Sequence, residues 1–262
     1  MNDLVEIRNV SFVGSGNVAT HLAAALLQSG IQIKEVFSLN ESHAEAFSKK
    51  TKCGIVTSLN QLDPNSDLIL LCVPDHQVKK VAGSLAPGKA IIAHTSGIVS
   101  LNEIKSDTHP TGVFYPLQTF SKNKKVNFRE IPFCIEGDTH HTSEILTQLA
   151  YKLSNKVVAV LSSQREILHL TAVMVNNFSN MLYGMAHEIL LENNLDFNLL
   201  TPLIRETANK VTEMTPQEAQ TGPARRNDET TIQRHKELLK SFPQYQELYQ
   251  LITEHIIKKH HE

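Results

Sequence analysis

The chain has 262 residues, 41% of them hydrophobic, which is enough to bury a core in one large domain or two smaller ones. A formal net charge of −2 gives no reason to expect nucleic acid or a membrane surface as a partner. No apolar run approaches the ~20 residues that cross a bilayer, and nothing resembles a signal peptide. The 3 cysteines are widely spaced, which is typical of reduced thiols and predicts a cytoplasmic protein. The 13 histidines lack the spacing of metal ligands, so we expect no metal.

Near the N-terminus, the segment Gly14-Ser-Gly-Asn-Val-Ala19 stands between a short apolar run and an amphipathic helical pattern. This is the glycine fingerprint of a dinucleotide-binding strand–turn–helix, with Ala in the third glycine position. Gly14 would allow a tight turn, and Gly16, without a Cβ, would let a pyrophosphate approach the backbone. The phosphates would lie on the free N–H groups at the start of the helix. The predicted cofactor-binding residues of this segment are Gly14, Ser15, Gly16, Asn17 and Val18.

The chain alternates between strand and helix patterns as far as residue 160. Strands are predicted at Val10–Val13, Gln32–Ser38, Leu68–Val73, Ala90–His94, Gly112–Tyr115, Pro132–Glu136 and Val157–Val160, and helices at Ala19–Ser29, Glu41–Lys50 and His76–Leu85. This alternation predicts right-handed crossovers and a doubly wound, mostly parallel α/β sheet of the Rossmann type. Ligands bind beyond the carboxyl ends of such strands, so the loops after Val13, Val73 and His94 should face one cleft.

From Ser163 onward the pattern is helical. A capping box at Ser163-Gln-Arg-Glu166 predicts the start of a long helix that ends near Asn193, with Asn194 as a left-handed stop. Further helices are predicted from Phe197 or Thr201 to Met214, from Asp228 to Lys240 and from Gln244 to Lys258, with a single turn at Thr215-Pro-Gln-Glu218. We therefore predict a dinucleotide-binding domain over residues 1–160 and an all-helical domain over residues 161–262.

The tip of the second strand favours NADP over NAD as the cofactor. An NAD-binding chain tends to place Asp or Glu there, whereas this chain has Ser38-Leu-Asn40, which can donate to a 2′-phosphate without repelling it. The lack of a carboxylate at this strand tip also disfavours a methyltransferase that uses S-adenosylmethionine. Ser38 can also be an ordinary strand-end residue. Four residues at the ends of later strands complete the predicted cofactor site: Val73, Pro74, Thr95 and Ser96. The two hydroxyls of that set can instead cap a turn.

Two side chains after the strand at 112–115 are candidates for chemistry or recognition. The hydroxyl of Tyr115 could pass a proton or a hydrogen bond to a carbonyl, and its alternative role is a packed aromatic ring with a solvated tip. Gln118 is predicted to recognise substrate or to cap its own loop.

A polar stripe on the long helix is the third candidate. His169, Asn176, Asn180 and His187 recur at helical spacing on an otherwise apolar helix, and a buried Asn is unfavourable unless paired. We expect His169 and Asn176 to face the cofactor, with His169 as proton donor or substrate anchor. For His187 we favour solvent or a subunit contact.

The break at Thr221-Gly-Pro-Ala-Arg-Arg226 is the last candidate. An arginine offers a planar fork that suits a carboxylate or phosphate, so Thr221, Gly222 and Arg226 are predicted to bind substrate. The alternative is a helix–helix connection with solvated charges.

Six segments together resemble a known group of proteins. They are Gly14-Ser-Gly-Asn-Val-Ala19, Cys72-Val-Pro-Asp75, His94-Thr-Ser-Gly97, Tyr115-Pro-Leu-Gln-Thr-Phe120, Ala172-Val-Met-Val-Asn-Asn-Phe178 and Thr221-Gly-Pro-Ala-Arg-Arg226. In this order they resemble bacterial Rossmann-like proteins with a helical C-terminal domain of unassigned function, similar to pyrroline-5-carboxylate reductase and deazaflavin-dependent NADP oxidoreductases. The resemblance implies an NADP-type fold and a helical domain that often forms homodimers. That group often has His at the position of Tyr115, and the catalytic Lys of related 3-hydroxyacid dehydrogenases has no counterpart here, with His169 nearest that region.

The leading functional hypothesis is an NADP-dependent oxidoreductase acting on a small imine or carbonyl substrate between the two domains. His169, Asn176 and Thr95 would orient the acceptor, Arg226 would hold a carboxylate, and the cofactor would carry out the hydride transfer. The alternative is a non-catalytic dinucleotide-binding sensor or scaffold, which the small number of acid and base groups supports.

Overall fold

An eight-stranded sheet organises the first part of the chain in the computed structural model, which describes residues 6–261. Its strands are β1 (Asn9–Val13), β2 (Gln32–Phe37), β3 (Gly54–Val56), β4 (Leu68–Leu71), β5 (Ile91–His94), β6 (Thr111–Pro116), β7 (Phe133–Gly137) and β8 (Val157–Ala159). The helices between them are α1 (Asn17–Gln28), α2 (Glu41–Thr51), α3 (Asp75–Ala82) and α4 (His140–Leu153). Every predicted strand is present, and β3 is an addition, because so short a strand carries no recognisable periodicity.

The strand order is β3-β2-β1-β4-β5-β6-β7-β8. All neighbouring pairs are parallel except β6 and β7, so the predicted mostly parallel, doubly wound sheet is confirmed. The chain order reverses between β1 and β4, and in open α/β sheets the ligand crevice lies at such a switch point. The carboxyl ends of β1, β4 and β5 are therefore neighbours at one edge, as the sequence predicted.

The apolar run of β4 is buried on both faces of the sheet. Leu68 and Leu70 belong to one core cluster, which contains buried residues of α1, α2 and α4, whereas Ile69 and Leu71 belong to a second cluster with Val78 of α3. Each such side chain stabilises the fold by roughly 1.5–3 kcal/mol when it is fully buried. The run predicts this burial because only a strand covered on both faces can hide every residue of a continuous apolar sequence.

The rest of the chain is helical. It contains α5 (Ser162–Val173), a π-helical turn (Met174–Phe178), α6 (Ser179–Glu192), α7 (Thr201–Glu213), α8 (Pro216–Ala219), α9 (Glu229–Leu238) and α10 (Pro243–His261), and a short 3₁₀ turn at Phe197–Leu200. One compact unit ends at Asn176, within the π turn, and a second begins at Asn177. The predicted domain boundary after residue 160 remains a prediction.

Two of the predicted helix signals are confirmed and one is wrong. Asn194 has a left-handed φ of 56°, and Thr215 and Glu218 form the reciprocal capping box at the start of α8. The capping box predicted at Ser163 does not form, since α5 begins at Ser162. A tertiary contact sets this start: the Glu136 carboxylate of β7 accepts hydrogen bonds from the backbone N–H (3.1 Å) and hydroxyl (2.7 Å) of Ser162.

The two glycines of the first turn have different structural roles. Gly14 has a left-handed φ of 100°, its N–H donates to the carbonyl of Phe37 at 2.8 Å, and a Cβ there would lie 2.3 Å from the carbonyl oxygen of Cys72. Gly16 is exposed, and a Cβ on it would meet nothing within 4 Å. Gly14 is therefore required by the fold, whereas Gly16 leaves open space at the start of α1.

We expect Gly14→Ala to lower the free energy of unfolding by about 2–4 kcal/mol, because both the backbone conformation and the contact with Cys72 become unfavourable. Gly16→Ala is the matched control, and its loss should stay below about 1 kcal/mol, the range of a helix N-cap change. Urea unfolding of both variants measures the difference. Equal losses would contradict these assigned roles.

Candidate functional site

A cavity of about 700 Å³ lies at the carboxyl ends of β1, β2 and β4. This volume falls in the range of small-molecule sites in proteins. Six of the predicted cofactor-binding residues line it together: Gly14, Ser15, Gly16, Ser38, Val73 and Pro74. The cavity also includes side chains that the sequence analysis did not assign to a cofactor, among them His43, His76 and Lys80.

The start of α1 opens beside this cavity. Gly16 is the N-cap, no side chain caps the helix, and its first turn contains no acidic residue. Its first N–H groups thus keep the partial positive charge of a helix N-terminus, which suits an anion. Of the other predicted residues here, Val18 packs against the core, and Asn17 donates its amide N–H to the carbonyl of Phe120 at 3.0 Å. These features fit the pyrophosphate of a dinucleotide.

A basic pocket of about 110 Å³ adjoins the other side of the glycine turn. It is lined by Ser15 and Gly16 together with His43 and Lys50 of α2 and Lys122. The Ser15 hydroxyl donates to the Ser38 hydroxyl at 2.8 Å, which ties the glycine turn to the tip of β2. Their seven-residue spacing places His43 and Lys50 on one face of α2, and that spacing was the sequence signal that could have found them.

The two hydroxyls of the loop after β5 bond to different parts of the fold. Thr95 donates to the carbonyl of Leu71 at 3.3 Å, and the buried Ser96 hydroxyl accepts from the N–H groups of Ile98 (3.1 Å) and Val99 (3.0 Å). Ser96 thus has the turn-capping role that the sequence left open, whereas Thr95 bonds to the end of the neighbouring strand β4. Neither Thr95 nor Ser96 is among the residues that line the cavity of about 700 Å³, and their contact with a cofactor remains a prediction.

His94, at the end of β5, is fully buried. Its Nδ1 accepts from the N–H of Ser96 at 3.2 Å, so the ring proton of the neutral form lies on Nε2. Burial, with a contribution from the charge of Arg165, lowers the pKa of His94 to about 3. This histidine is therefore neutral near pH 7.

Tyr115 of β6 and His169 of α5 meet side by side, although they are far apart in the sequence. The Tyr115 hydroxyl lies 3.3 Å from Nδ1 of His169, and the two rings contact edge to face. Burial, reinforced by Cys134 and Asp75, raises the pKa of Tyr115 to about 12 against the opposing effect of Arg165. A Cβ on Gly97 would lie 2.5 Å from the same Nδ1, so the loop after β5 can approach this pair only with glycine there.

The predicted polar stripe assumed one uninterrupted α-helix, but the structure has a π-helical turn within it. Asn176 is exposed and lies in the π turn, whereas the stripe assumed α-helical spacing throughout. Asn180 and His187 follow that turn, and their alignment with His169 remains a prediction. His187 contacts the ring of Phe197 edge to face, with 5.4 Å between the ring centroids.

The predicted substrate-binding residues lie in two loops. Gln118 is exposed and its Oε1 accepts from the N–H of Thr119 at 2.8 Å, which is a loop cap. In the second unit, Gly222 has a φ of 100°, and Thr221 and Arg226 are exposed. Arg225, the neighbour of Arg226, donates to the carbonyl of Gln217 at 2.8 Å.

Among residues 6–261, no group of three or more His, Cys, Asp and Glu side chains is arranged to hold a metal ion. Within the same range, no helix combines the length and apolar character that crossing a membrane requires.

Comparison with known proteins identifies the class. Residues 9–97 match the family described as "NADP oxidoreductase coenzyme F420-dependent", and residues 131–256 match a domain of unknown function, DUF2520. None of the curated proteins matches the chain. Both halves of the resemblance inferred from the sequence are thus confirmed.

Solved structures extend the assignment. A Bacteroides fragilis protein, provisionally named an NADP oxidoreductase, is 38% identical over 96% of this chain and 98% of its own, with a TM-score of 0.89. The chain belongs to the family of that protein. A pyrroline-5-carboxylate reductase from Coxiella burnetii (15% identity, 96% and 99% of the two chains, TM-score 0.59) shares the fold. So does an imine reductase from Myxococcus stipitatus, solved with NADP+ (14% identity, 95% and 93%, TM-score 0.63).

We expect His94 to make the protein less stable in acid. Its pKa is about 3 in the folded state against an ordinary value of 6.5, so the unfolded chain takes up the proton first as the pH falls. Stability is therefore lost below pH 6.5, by about 2 kcal/mol at pH 5 from this residue. Urea unfolding at pH 7 and pH 5 measures the loss. His94→Asn, which keeps an acceptor for Ser96, should lose about 2 kcal/mol less than the wild type over that interval, and an identical loss would refute the assignment.

Proposed function

We propose that the protein is an NADP-dependent oxidoreductase that transfers hydride to or from a small imine or carbonyl substrate. The observation that carries the proposal is the uncapped start of α1, which opens at Gly16 onto a cavity at the switch point of the sheet. The pyrophosphate would lie on these N–H groups, and the adenosine ribose beside Ser38. When bound, the nicotinamide cofactor supplies or accepts the hydride, and the chain binds, orients and protonates.

The Tyr115–His169 pair is the proposed source of the proton that a reduced imine nitrogen or carbonyl oxygen requires. We propose that the Tyr115 hydroxyl donates to Nδ1 of neutral His169, 3.3 Å away, so that the proton of His169 lies on Nε2. Tyr115 keeps its own proton near pH 7, as any phenol would, and burial raises its pKa further, to about 12. The half-buried imidazole of His169 has one nitrogen that can accept a proton and one that can donate it, so we propose that His169 exchanges the proton with substrate and Tyr115 holds its orientation.

The remaining predicted residues keep supporting roles in the proposal. Asn176 and Thr95 would orient the acceptor, while Gln118, Thr221 and Gly222 would contact substrate. The exposed guanidinium of Arg226 would bind a substrate carboxylate.

Several features support NADP as the cofactor. No carboxylate side chain occurs among the residues described as lining the cavity at the tip of β2, where Ser38 and Asn40 offer hydrogen-bond donors. Lys50 and Lys122 add positive charge next to Ser15, and His43 adds a polar ring. A 2′-phosphate would be bound by these donors and positive charges, whereas the ribose of NAD would lack the acidic partner that it usually has. The description of the matched family also names coenzyme F420, which would be a second redox partner rather than a ligand of this basic pocket.

We also propose a homodimer formed through the helical part. α7 contains no buried residue, and its apolar side chains Leu203 and Val211 are exposed. Further large apolar side chains are exposed along α5, the π turn and α6: Ile167, Leu170, Met174, Val175, Phe178, Met181 and Leu182. Large exposed apolar patches usually mark interfaces, and we propose that these side chains contribute to one. Sedimentation equilibrium should give twice 29.3 kDa, and a monomer at micromolar concentration would refute the dimer.

Gly16→Asp tests the cofactor site. The side chain would fill the space at the start of α1 and repel the pyrophosphate, so the Kd for NADPH should rise about 100-fold by calorimetric titration. Gly16→Asn is the matched control with the same bulk and no charge, and it should bind more tightly than Gly16→Asp. Both residues are good N-caps, so both variants should fold. Unchanged affinity in folded Gly16→Asp would reject the site.

Turnover is tested by NADPH oxidation with cyclic imines and 2-oxo acids, comparing wild type with Tyr115→Phe and His169→Gln. We expect oxidation with at least one acceptor and a 10- to 1000-fold loss in the His169 variant. Tight NADPH binding without oxidation by any of them would favour the non-catalytic sensor.

Lys50→Ala tests the proposed 2′-phosphate pocket. Loss of one cation near a phosphate should weaken NADPH binding about five- to tenfold and leave NADH binding unchanged. Lys49→Ala, at the adjacent position that does not line the pocket, is the matched control and should change neither Kd. Equal effects on NADPH and NADH would place the 2′-phosphate elsewhere.

A further inference from the structure

Arg165 is an unusual core residue. It lies one turn before His169 on α5, and it is the largest side chain that is fully buried among residues 6–261. A buried charge is unfavourable unless it is paired and hydrogen-bonded. Packing alone does not require an arginine at this position, since an apolar side chain would fill the space without that desolvation cost.

The hydrogen bonds of Arg165 join three separate parts of the fold. One terminal nitrogen donates to the Glu136 carboxylate of β7 at 2.7 Å. The other donates to the backbone carbonyl of Val99, in the loop after β5, and lies 3.3 Å from the hydroxyl of Ser162. The Ser162 hydroxyl donates to Glu136 and accepts from the N–H of Leu101 at 3.0 Å. The network therefore fixes the start of α5 against both β7 and the loop after β5.

The same loop and the same helix meet again one turn later, at the Tyr115–His169 pair. Residues four apart lie on one face of a helix, so Arg165 and His169 both point towards the sheet and the loop. Gly97, two residues before Val99, is the residue on which a Cβ would collide with the His169 ring. The position of Val99 is thus coupled to the position of Gly97, and the position of Arg165 to that of His169.

We propose that the Glu136–Arg165 ion pair is a positioning device that holds His169 in contact with Tyr115. This inference rests on the proposed function, in which that contact selects the ring nitrogen that carries the proton. Arg165 is a positioning residue: it acts through α5 and through the loop carbonyl of Val99. Without the ion pair, the first turn of α5 loses its attachment to β7 and to the loop after β5. The His169 ring is then free to rotate away from the Tyr115 hydroxyl.

The experiment reads the tautomer of His169 directly in the full-length protein. Long-range ¹H–¹⁵N correlation spectra of protein labelled with ¹⁵N-histidine distinguish a proton on Nε2 from one on Nδ1, and the spectrum of His169→Gln assigns the signals. In wild type near pH 8 we expect His169 as the Nε2–H form alone. Tyr115→Phe removes the hydroxyl that lies against Nδ1, and its spectrum shows the mixture of both tautomers that a His169 ring without this contact gives.

Two of the test variants disrupt the Glu136–Arg165 ion pair: one removes both charges, and the other keeps the positive charge. In Arg165→Met combined with Glu136→Gln no unpaired charge is left buried, and exchange of a buried pair for neutral side chains often preserves stability. Arg165→Lys keeps the charge but not the two-armed contact. Ser162→Ala removes one hydroxyl from the network. We expect the mixed His169 signal in the double variant and in Arg165→Lys, and a smaller change in the same direction in Ser162→Ala. In all three, the Kd for NADPH should stay within twofold of wild type.

Lys152→Met is the control for loss of an ion pair as such. It removes the exposed pair of Lys152 with Glu6 (2.5 Å) from the same unit, and it should leave the His169 signal unchanged. A wild-type His169 signal in any folded variant of Arg165 would overturn the proposal. Failure of NADPH to bind wild type would instead overturn the proposed function, because the tautomer measurement needs no cofactor.

Discussion

The turn between β1 and α1 is the constraint on which the site depends. Gly14 adopts a left-handed conformation against the backbone of Cys72, just after β4, and this conformation forms the turn that leads to α1. The N-cap of α1 is Gly16, which has no side chain to cap the helix. The open N–H groups then face the crevice between the two halves of the sheet. Because the neighbouring parallel strands end at the same edge, one backbone turn determines where an anion can be held.

A second constraint comes from β6 and β7, the antiparallel pair of the sheet. The reversal brings Glu136, near the end of β7, to the start of α5, where its carboxylate accepts from Ser162 and Arg165. α5 is held there by charge and hydrogen bonds in addition to apolar contacts. The same helix carries His169, whose Nδ1 lies 3.3 Å from the Tyr115 hydroxyl, next to the loop after β5.

The comparisons and the geometry contribute different things. Similarity over nearly the whole length to the Bacteroides fragilis protein assigns the family, and the distant reductases show how widely the fold is used. A shared fold does not define a substrate. The assignment of individual roles rests on this chain's own residues: the basic pocket at Ser15 and Lys50, and the pairing of Tyr115 with His169.

Local sequence patterns determined seven of the eight strands, the glycine turn, the carboxylate-free tip of β2 and the helix signals at Asn194 and Thr215, because each depends on near neighbours in the chain. Those patterns did not predict the start of α5, the π turn or the basic pocket. The start of α5 is set by its hydrogen bonds with Glu136. The π turn changes the helical register that the predicted stripe assumed, and the basic pocket forms only when α2 is folded against the glycine turn. Only the tertiary structure could decide these points, since each depends on groups that are distant in sequence and meet only when the sheet has formed.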